Sequence, residues 1–255
     1  MTLAHRILLA LAGLLLLTAA DEPVLVPDVS EREINIRYGF TGAELLLFGA
    51  ISYPNAARPP DAETDIVVVL RGPPQAIIVR EKQKIAGIWV NAASTEFRSA
   101  PSFYAIAASR PLEDIVDDRT ALIYEFGLDK LQLSPGGTID PEEQRRFIDG
   151  LVDLNTRNQL FDERNNGVTI EKGLLYQARL EIPSTVVEGT YEAETFLVQD
   201  GVVVAAEIRE IEIGKVGFER AVGVVAEDYS WAYGLAAVII SLLFGWAAGL
   251  IFQRI

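Results

Sequence analysis

Asp65–Leu70 reads DIVVVL, an unbroken apolar run closed off by Arg71-Gly72-Pro73-Pro74. A run this short suits a strand covered on both faces better than a helix. Ala43–Ile51 (AELLLFGAI) is a second such run, set between Gly42 and the Pro54–Pro60 turn. Arg32–Phe40 (REINIRYGF) alternates instead, with Ile34, Ile36 and Tyr38 against Asn35 and Arg37, the period of a half-buried strand. Gln75–Glu81 (QAIIVRE), Ala86–Asn91 (AGIWVN) and Ser102–Ala108 (SFYAIAA) continue the series. Six or seven short strands without a long helix predict an antiparallel, immunoglobulin-like β-sandwich over residues 21–110. Trp89, inside an apolar run, is expected to pin the two sheets together rather than to serve as a ligand platform.

Residues 111–162 read as a helical segment. Arg110–Asp118 (RPLEDIVDD) places Pro111 and then acids where a first helical turn would lie. In Asp140–Asn158, Asp140 is the expected N-cap, Pro141 the first helical residue, and Glu143 the closing member of a capping box. Phe147, Leu151 and Leu154 fall on one face, so this helix packs on something. Two or three short helices are expected, joined by the Gly-rich Ser134–Thr138.

Strands return after Asn166-Gly167. Leu174–Ile182 alternates Leu174, Tyr176, Ala178, Leu180 and Ile182 against Gln177, Arg179 and Glu181. Gly189–Ile213 reads as two strands joined at Asp200-Gly201, a hairpin signal. The apolar phase slips between Ile208 and Ile211, which predicts a bulge near Arg209–Glu210. These strands, within 163–216, are expected as a second small sheet, completed by the middle region or by the first domain.

From Trp231 to Phe252 the chain carries no charge, although its formal charge is −14. As a helix this segment would span roughly 33 Å, enough to cross a ~30 Å hydrocarbon core. Tyr229, Trp231 and Tyr233 suit a headgroup boundary at one end, and Arg254 closes the other. Residues 231–252 are therefore read as a transmembrane helix, 217–230 as a juxtamembrane linker and 253–255 as a cytoplasmic tail. At the other end, Arg6, the apolar run Ile7–Leu17 and Thr18-Ala19-Ala20 have the layout of a signal peptide over 1–20. The alternative, a second anchor, would give only about 17 Å of helix. This reading places the body of the protein outside the cytoplasm.

Composition narrows the compartment and the chemistry. There is no Cys and no Asn-x-Ser/Thr site, which fits a bacterial periplasm better than a eukaryotic cell surface. His5 and Met1 are the only residues of their kinds, and both leave with the signal peptide. Imidazole and thiol catalysis, zinc sites with N/S ligands and haem ligation by His or Met are thereby excluded from the mature chain. No cofactor is expected. Setting aside Arg6 and Arg254 leaves 20 basic side chains against 36 acidic ones. Such a surface repels nucleic acid and anionic lipid, so nucleic-acid binding is set aside.

Gly87–Asn91 (GIWVN), Ala100–Leu112 (APSFYAIAASRPL), Ile182–Tyr191 (IPSTVVEGTY), Lys215–Glu219 (KVGFE) and Tyr233–Trp246 (YGLAAVIISLLFGW) carry a likeness over nearly the whole mature chain. In them the chain resembles an alphaproteobacterial family of single-span periplasmic transmembrane proteins. The resemblance implies a periplasmic body and a gene often placed near permeases similar to sulfite exporters. It carries over no catalytic residue, because the family defines none.

Several candidate sites have a plainer explanation. Asp162–Gly167 (DERNNG) begins like a calcium loop, but Arg164 and Gly173 occupy the third and twelfth positions. Glu113, Asp114, Asp117 and Asp118 could gather a hard cation, yet read more simply as a solvated face. Glu142 and Glu143 are adjacent and point apart on a helix, so capping accounts for them better than glycosidase work. No metal site is expected. The Asn91–Pro101 loop is the sharper candidate for binding a ligand or partner: Asn91, Ser94, Thr95 and Arg98 could grip a small oxyanion or a carboxylate. The alternative is an ordinary connection with Arg98 in an intramolecular ion pair.

Within the membrane helix, Ala237, Ser241, Gly245 and Gly249 recur every fourth residue and form a small-residue packing face. The expected function is that of a non-catalytic, membrane-anchored periplasmic accessory or binding protein. Its partner would be a permease, or a second copy of the chain through this helix. A carboxylate-dependent periplasmic hydrolase is the alternative, and a cavity holding two or more acids with raised pKa would favour it.

Overall fold

The computed structural model describes residues 23–36, 41–53, 63–137, 140–215, 225–226 and 228–252. The signal-peptide segment 1–20, Tyr38, the Pro54–Pro60 turn, Thr138, residues 217–224 and the tail 253–255 lie outside the described residues. The first seven strands are β1 (Val24–Val29), β2 (Glu33–Ile36), β3 (Gly42–Ser52), β4 (Thr64–Arg71), β5 (Pro74–Ile85), β6 (Ile88–Pro101) and β7 (Tyr104–Ala108). Helices α1 (Leu112–Ile115), α2 (Asp118–Tyr124) and α3 (Pro141–Arg157) follow. The chain then forms β8 (Phe161–Arg164), β9 (Val168–Glu171), β10 (Leu175–Pro183), β11 (Gly189–Gln199) and β12 (Val202–Lys215). A last helix, α4, runs Ser230–Phe252.

Two sheets form the sandwich, a four-stranded one ordered β1-β3-β10-β9 and a six-stranded one ordered β2-β12-β11-β4-β7-β8. Neighbours are antiparallel except β2 with β12 and β7 with β8. The first order, and the run β12-β11-β4-β7 in the second, are those of an immunoglobulin sandwich. Leu45, Leu47, Tyr176, Leu180, Val68, Leu70, Tyr191 and Ile211 meet between the sheets in the main core.

DIVVVL is the central strand β4, and Ile66 to Leu70 are all fully buried. Ile66, Val68 and Leu70 face the four-stranded sheet. Val67 and Val69 face the other way, into a second core with Phe97, Tyr104, Phe126, Phe147, Leu151 and Phe196. That second core is roofed by the β5–β6 hairpin, the helices and the segment between α2 and α3. The double cover expected of β4 is therefore present. For Ala43–Ile51 it is not: Leu45, Leu47 and Ile51 are buried, but Phe48 is exposed on the open outer face of the four-stranded sheet.

Other expectations are corrected by long-range pairing. The strands of 163–216 build no sheet of their own: β10 lies between β3 and β9, and β11 between β12 and β4. The Asp200-Gly201 hairpin forms, with both residues at positive φ (50° and 82°) as a two-residue turn requires. The bulge, however, falls where Leu197 pairs Ala205 and Val198 pairs Val203, leaving Val204 over. At Arg209–Glu210 the register is regular, and Ile208 simply faces solvent. On α3, Asp140 occupies the N-cap without a side-chain cap bond, so no capping box is made. Phe147 and Leu151 pack as expected, but Leu154 is exposed and Asn155 takes the buried place one turn on.

Trp89 is the clearest correction. It is 66% exposed at the end of the β5–β6 hairpin and pins nothing. Tyr191 and Phe103 do that work, with ring centroids 6.0 Å apart inside the main core.

Candidate functional site

Ala86 and Gly87, at φ 49° and 88°, make the tight turn that folds β5 back onto β6. Ile77, Val79, Ala93 and Phe97 point inward to the second core. Arg80, Lys82 and Lys84 alternate along the outward face of β5, and opposite them on β6 stand Ser94, Asn91 and Trp89.

The expected binding loop Asn91–Pro101 is therefore a strand, and its period divides the four predicted residues. Asn91, Ser94 and Arg98 are exposed, while Thr95 is buried with its hydroxyl lacking a hydrogen-bond partner. Arg98 borders a depression of about 370 Å³ together with Ser99, Gln132, Ser134 and Gly136. A bridge between Phe97 and Pro135 holds the two segments together, and the Gly136 N–H donates to the Glu96 carbonyl at 2.6 Å. A Cβ on Gly136 would stand 3.1 Å from that carbonyl, so glycine allows the close approach. Among the described residues Arg98 makes no ion pair, so the intramolecular pairing considered for it is not formed with any of them. Gln132 and Ser134 were missed because no local pattern ties them to a strand more than thirty residues earlier.

A second polar cluster lies at the end of β4. The Arg71 guanidinium is 3.3 Å from Glu125 and 3.8 Å from Glu194. It also donates to the Tyr124 carbonyl at 3.1 Å and sits 5.9 Å from the centroid of the Tyr104 ring. The Tyr104 hydroxyl donates to the Glu125 carbonyl at 2.6 Å, and burial pushes its pKa well above the ordinary phenol value. Burial also raises the Glu194 carboxyl, against the pull of Arg71. The neighbouring cavity of about 420 Å³ is lined by Arg71, Glu125, Gln132, Thr190 and Glu192, and Glu194 is not among its lining residues. No local pattern points to this cluster, because Arg71 reads as part of a turn.

The acidic candidates have structural roles. Asp117 caps α2 by accepting from the Thr120 N–H at 2.8 Å, and hydrogen bonding from the Thr120 side chain and N–H holds its carboxyl below the usual range. Asp118 pairs with Lys130 at 3.0 Å. Asp162–Gly167 is the end of β8 and a turn, where Arg164 pairs with both Asp162 and Glu181. Glu142 and Glu143 occupy the first turn of α3. Among the described residues no group of three or more acids could hold a metal ion.

Ser230–Gly249 of α4 is long and apolar enough to cross a membrane, and none of it is buried against the body. Ala237, Ser241, Gly245 and Gly249 lie along one side of this helix at four-residue spacing. The Ser241 hydroxyl donates to the Ala237 carbonyl at 2.8 Å, so it is satisfied within the helix. A Cβ added at Gly245 or Gly249 would meet nothing within 4 Å.

An immunoglobulin-like sandwich carried on one such helix defines a membrane-anchored β-sandwich protein. The chain belongs to the family described as "Putative transmembrane protein (Alph_Pro_TM)", whose model matches residues 24–254. No curated protein and no solved structure matches it.

Proposed function

We propose that this is a non-catalytic accessory subunit of the bacterial inner membrane. Its sandwich stands in the periplasm, its C-terminus lies in the cytoplasm, and α4 packs against the helices of a permease. The observation that carries this reading is the open small-residue side of α4. Association in a bilayer relies on close van der Waals packing, because lipid tails already satisfy apolar side chains, and small residues let a second backbone approach. The family resemblance to proteins encoded beside sulfite-exporter-like permeases supports that class of partner. A hydrolase would need two raised acids in one cavity, and the raised carboxyl of Glu194 lies outside the lining of the cavity beside it.

The test is purification of the full chain from its native membrane, with identification of what accompanies it. Gly245→Leu with Gly249→Leu should leave insertion intact, since both changes are apolar and meet open space. It should abolish recovery of the permease. Unchanged recovery would reduce α4 to an anchor, and self-crosslinking without a permease would make the chain its own partner.

A further inference from the structure

The β5–β6 hairpin runs past the body of the protein. Residues 82–92 are all exposed, whereas Ile77, Val79 and Ala93 nearer its base pack on the second core. At about 3.3 Å per residue, Lys82–Ile85 carry the turn roughly 13 Å beyond that contact. The tip displays Ile85, Ile88 and Trp89, each more than half exposed, with Val90 beside them. A two-stranded ribbon is marginal by itself in water, and apolar side chains grouped at its free end add nothing to hold it there.

Cations stand directly behind the tip. Lys84 is opposite Trp89, Lys82 opposite Asn91 and Arg80 opposite Ser94. The hairpin's ion pair among the described residues, Glu81 to Arg146 at 3.6 Å, uses the inward row and leaves these three aside. The outward acid is Glu96, further back and opposite Ile78. A net charge of −14 thus averages over an acidic body and a basic, apolar-tipped arm.

We infer that this tip docks on the bilayer that holds α4. Trp89, Ile85 and Ile88 seat at the headgroup boundary, and Lys82 and Lys84 meet anionic lipid headgroups. Trp favours that boundary, and Lys residues near an anionic surface are attracted to it while their stems lie along apolar neighbours. The unpaired edges of a two-stranded ribbon keep it from entering the hydrocarbon further. Lipid is favoured over an acidic protein surface because the chain is already tethered to it. Fourteen residues, 216–229, separate Lys215 from Ser230 at the start of α4, so the chain holds the sandwich within about 54 Å of the anchor's start and lipid is at high effective concentration. The inference rests on the membrane anchor and is independent of any permease.

Trp89, Trp231 and Trp246 are the three tryptophans, so Trp231→Phe with Trp246→Phe leaves Trp89 as the sole reporter in the full chain. This protein is reconstituted in phosphatidylglycerol–phosphatidylethanolamine vesicles and, separately, in phosphatidylcholine vesicles. Trp89 fluorescence is then quenched with acrylamide and with brominated lipid. Docking predicts blue-shifted emission and several-fold stronger quenching by brominated lipid in the anionic vesicles. High salt, phosphatidylcholine or Lys82→Glu with Lys84→Glu should each weaken that quenching, with the melting temperature of the variant unchanged. Acrylamide access without lipid quenching in both vesicles would overturn the inference. So would shielding from both quenchers, which would mean that protein covers the tip.

Discussion

The Tyr191 hydroxyl donates a 2.8 Å hydrogen bond to the carbonyl of Val187, four residues upstream. Val187 lies in the connection that carries the chain from β10 in one sheet to β11 in the other. This is the tyrosine corner of immunoglobulin sandwiches. In antibody domains the second cysteine of the inter-sheet disulfide stands two residues beyond that tyrosine. Here the place belongs to Ala193, which is buried. The corner is kept without the disulfide, so apolar packing and this bond hold the two sheets in register at that edge.

Tyr191→Phe keeps the ring and removes the bond. Val187 is 40% exposed, so water can reach the freed carbonyl region and limit the loss. The variant should be destabilised by about 1 kcal/mol. Thermal unfolding of the full chain, compared with wild type under the same detergent, checks this. An unchanged melting temperature would mean the corner is held by packing alone.

Glu194 sets a pH dependence whose sign can be worked out. Burial raises its folded-state pKa, so the native protein keeps this proton where the unfolded chain has released it. Ionising Glu194 therefore lowers stability as pH rises through and above the ordinary carboxylate range. Glu194→Gln removes that cost. Its melting temperature should exceed wild type at neutral pH, and the gap should close as pH falls to about 4. A variant less stable than wild type at neutral pH would show that Arg71 outweighs burial.

Arg98 is exposed and makes no ion pair among the described residues, so Arg98→Glu should change stability by no more than about 0.5 kcal/mol. If the depression shared with Gln132 and Ser134 grips an anionic group, that variant should still accumulate normally. It should nevertheless fail to complement a deletion strain. Full complementation would leave Arg98 as an ordinary surface cation.

Orientation is tested by fusion. A reporter active only in the cytoplasm should work after Ile255 and fail after Lys215. The opposite pattern would put the sandwich on the cytoplasmic side and remove the periplasmic role.

Local patterns carried much of this protein. The uncharged run 231–252, the buried run at β4, the alternation of β10 and the Asp200-Gly201 turn are each legible within a few residues. Their physics is local: helix length against bilayer thickness, side-chain period, and the backbone geometry of a two-residue turn. Which surface covers each strand is another matter. Leu45–Phe48 and Ile66–Leu70 look alike as sequence, yet the outer side of the first meets solvent and both sides of the second are buried. Trp89 looks like a core residue and ends a projecting arm, while Thr95 and Arg98 look like one site and face opposite ways. Arg71, Glu125 and Glu194 meet from three distant segments. Only the tertiary structure decided these, because a strand's pattern records which residues avoid water but not which distant segment covers them.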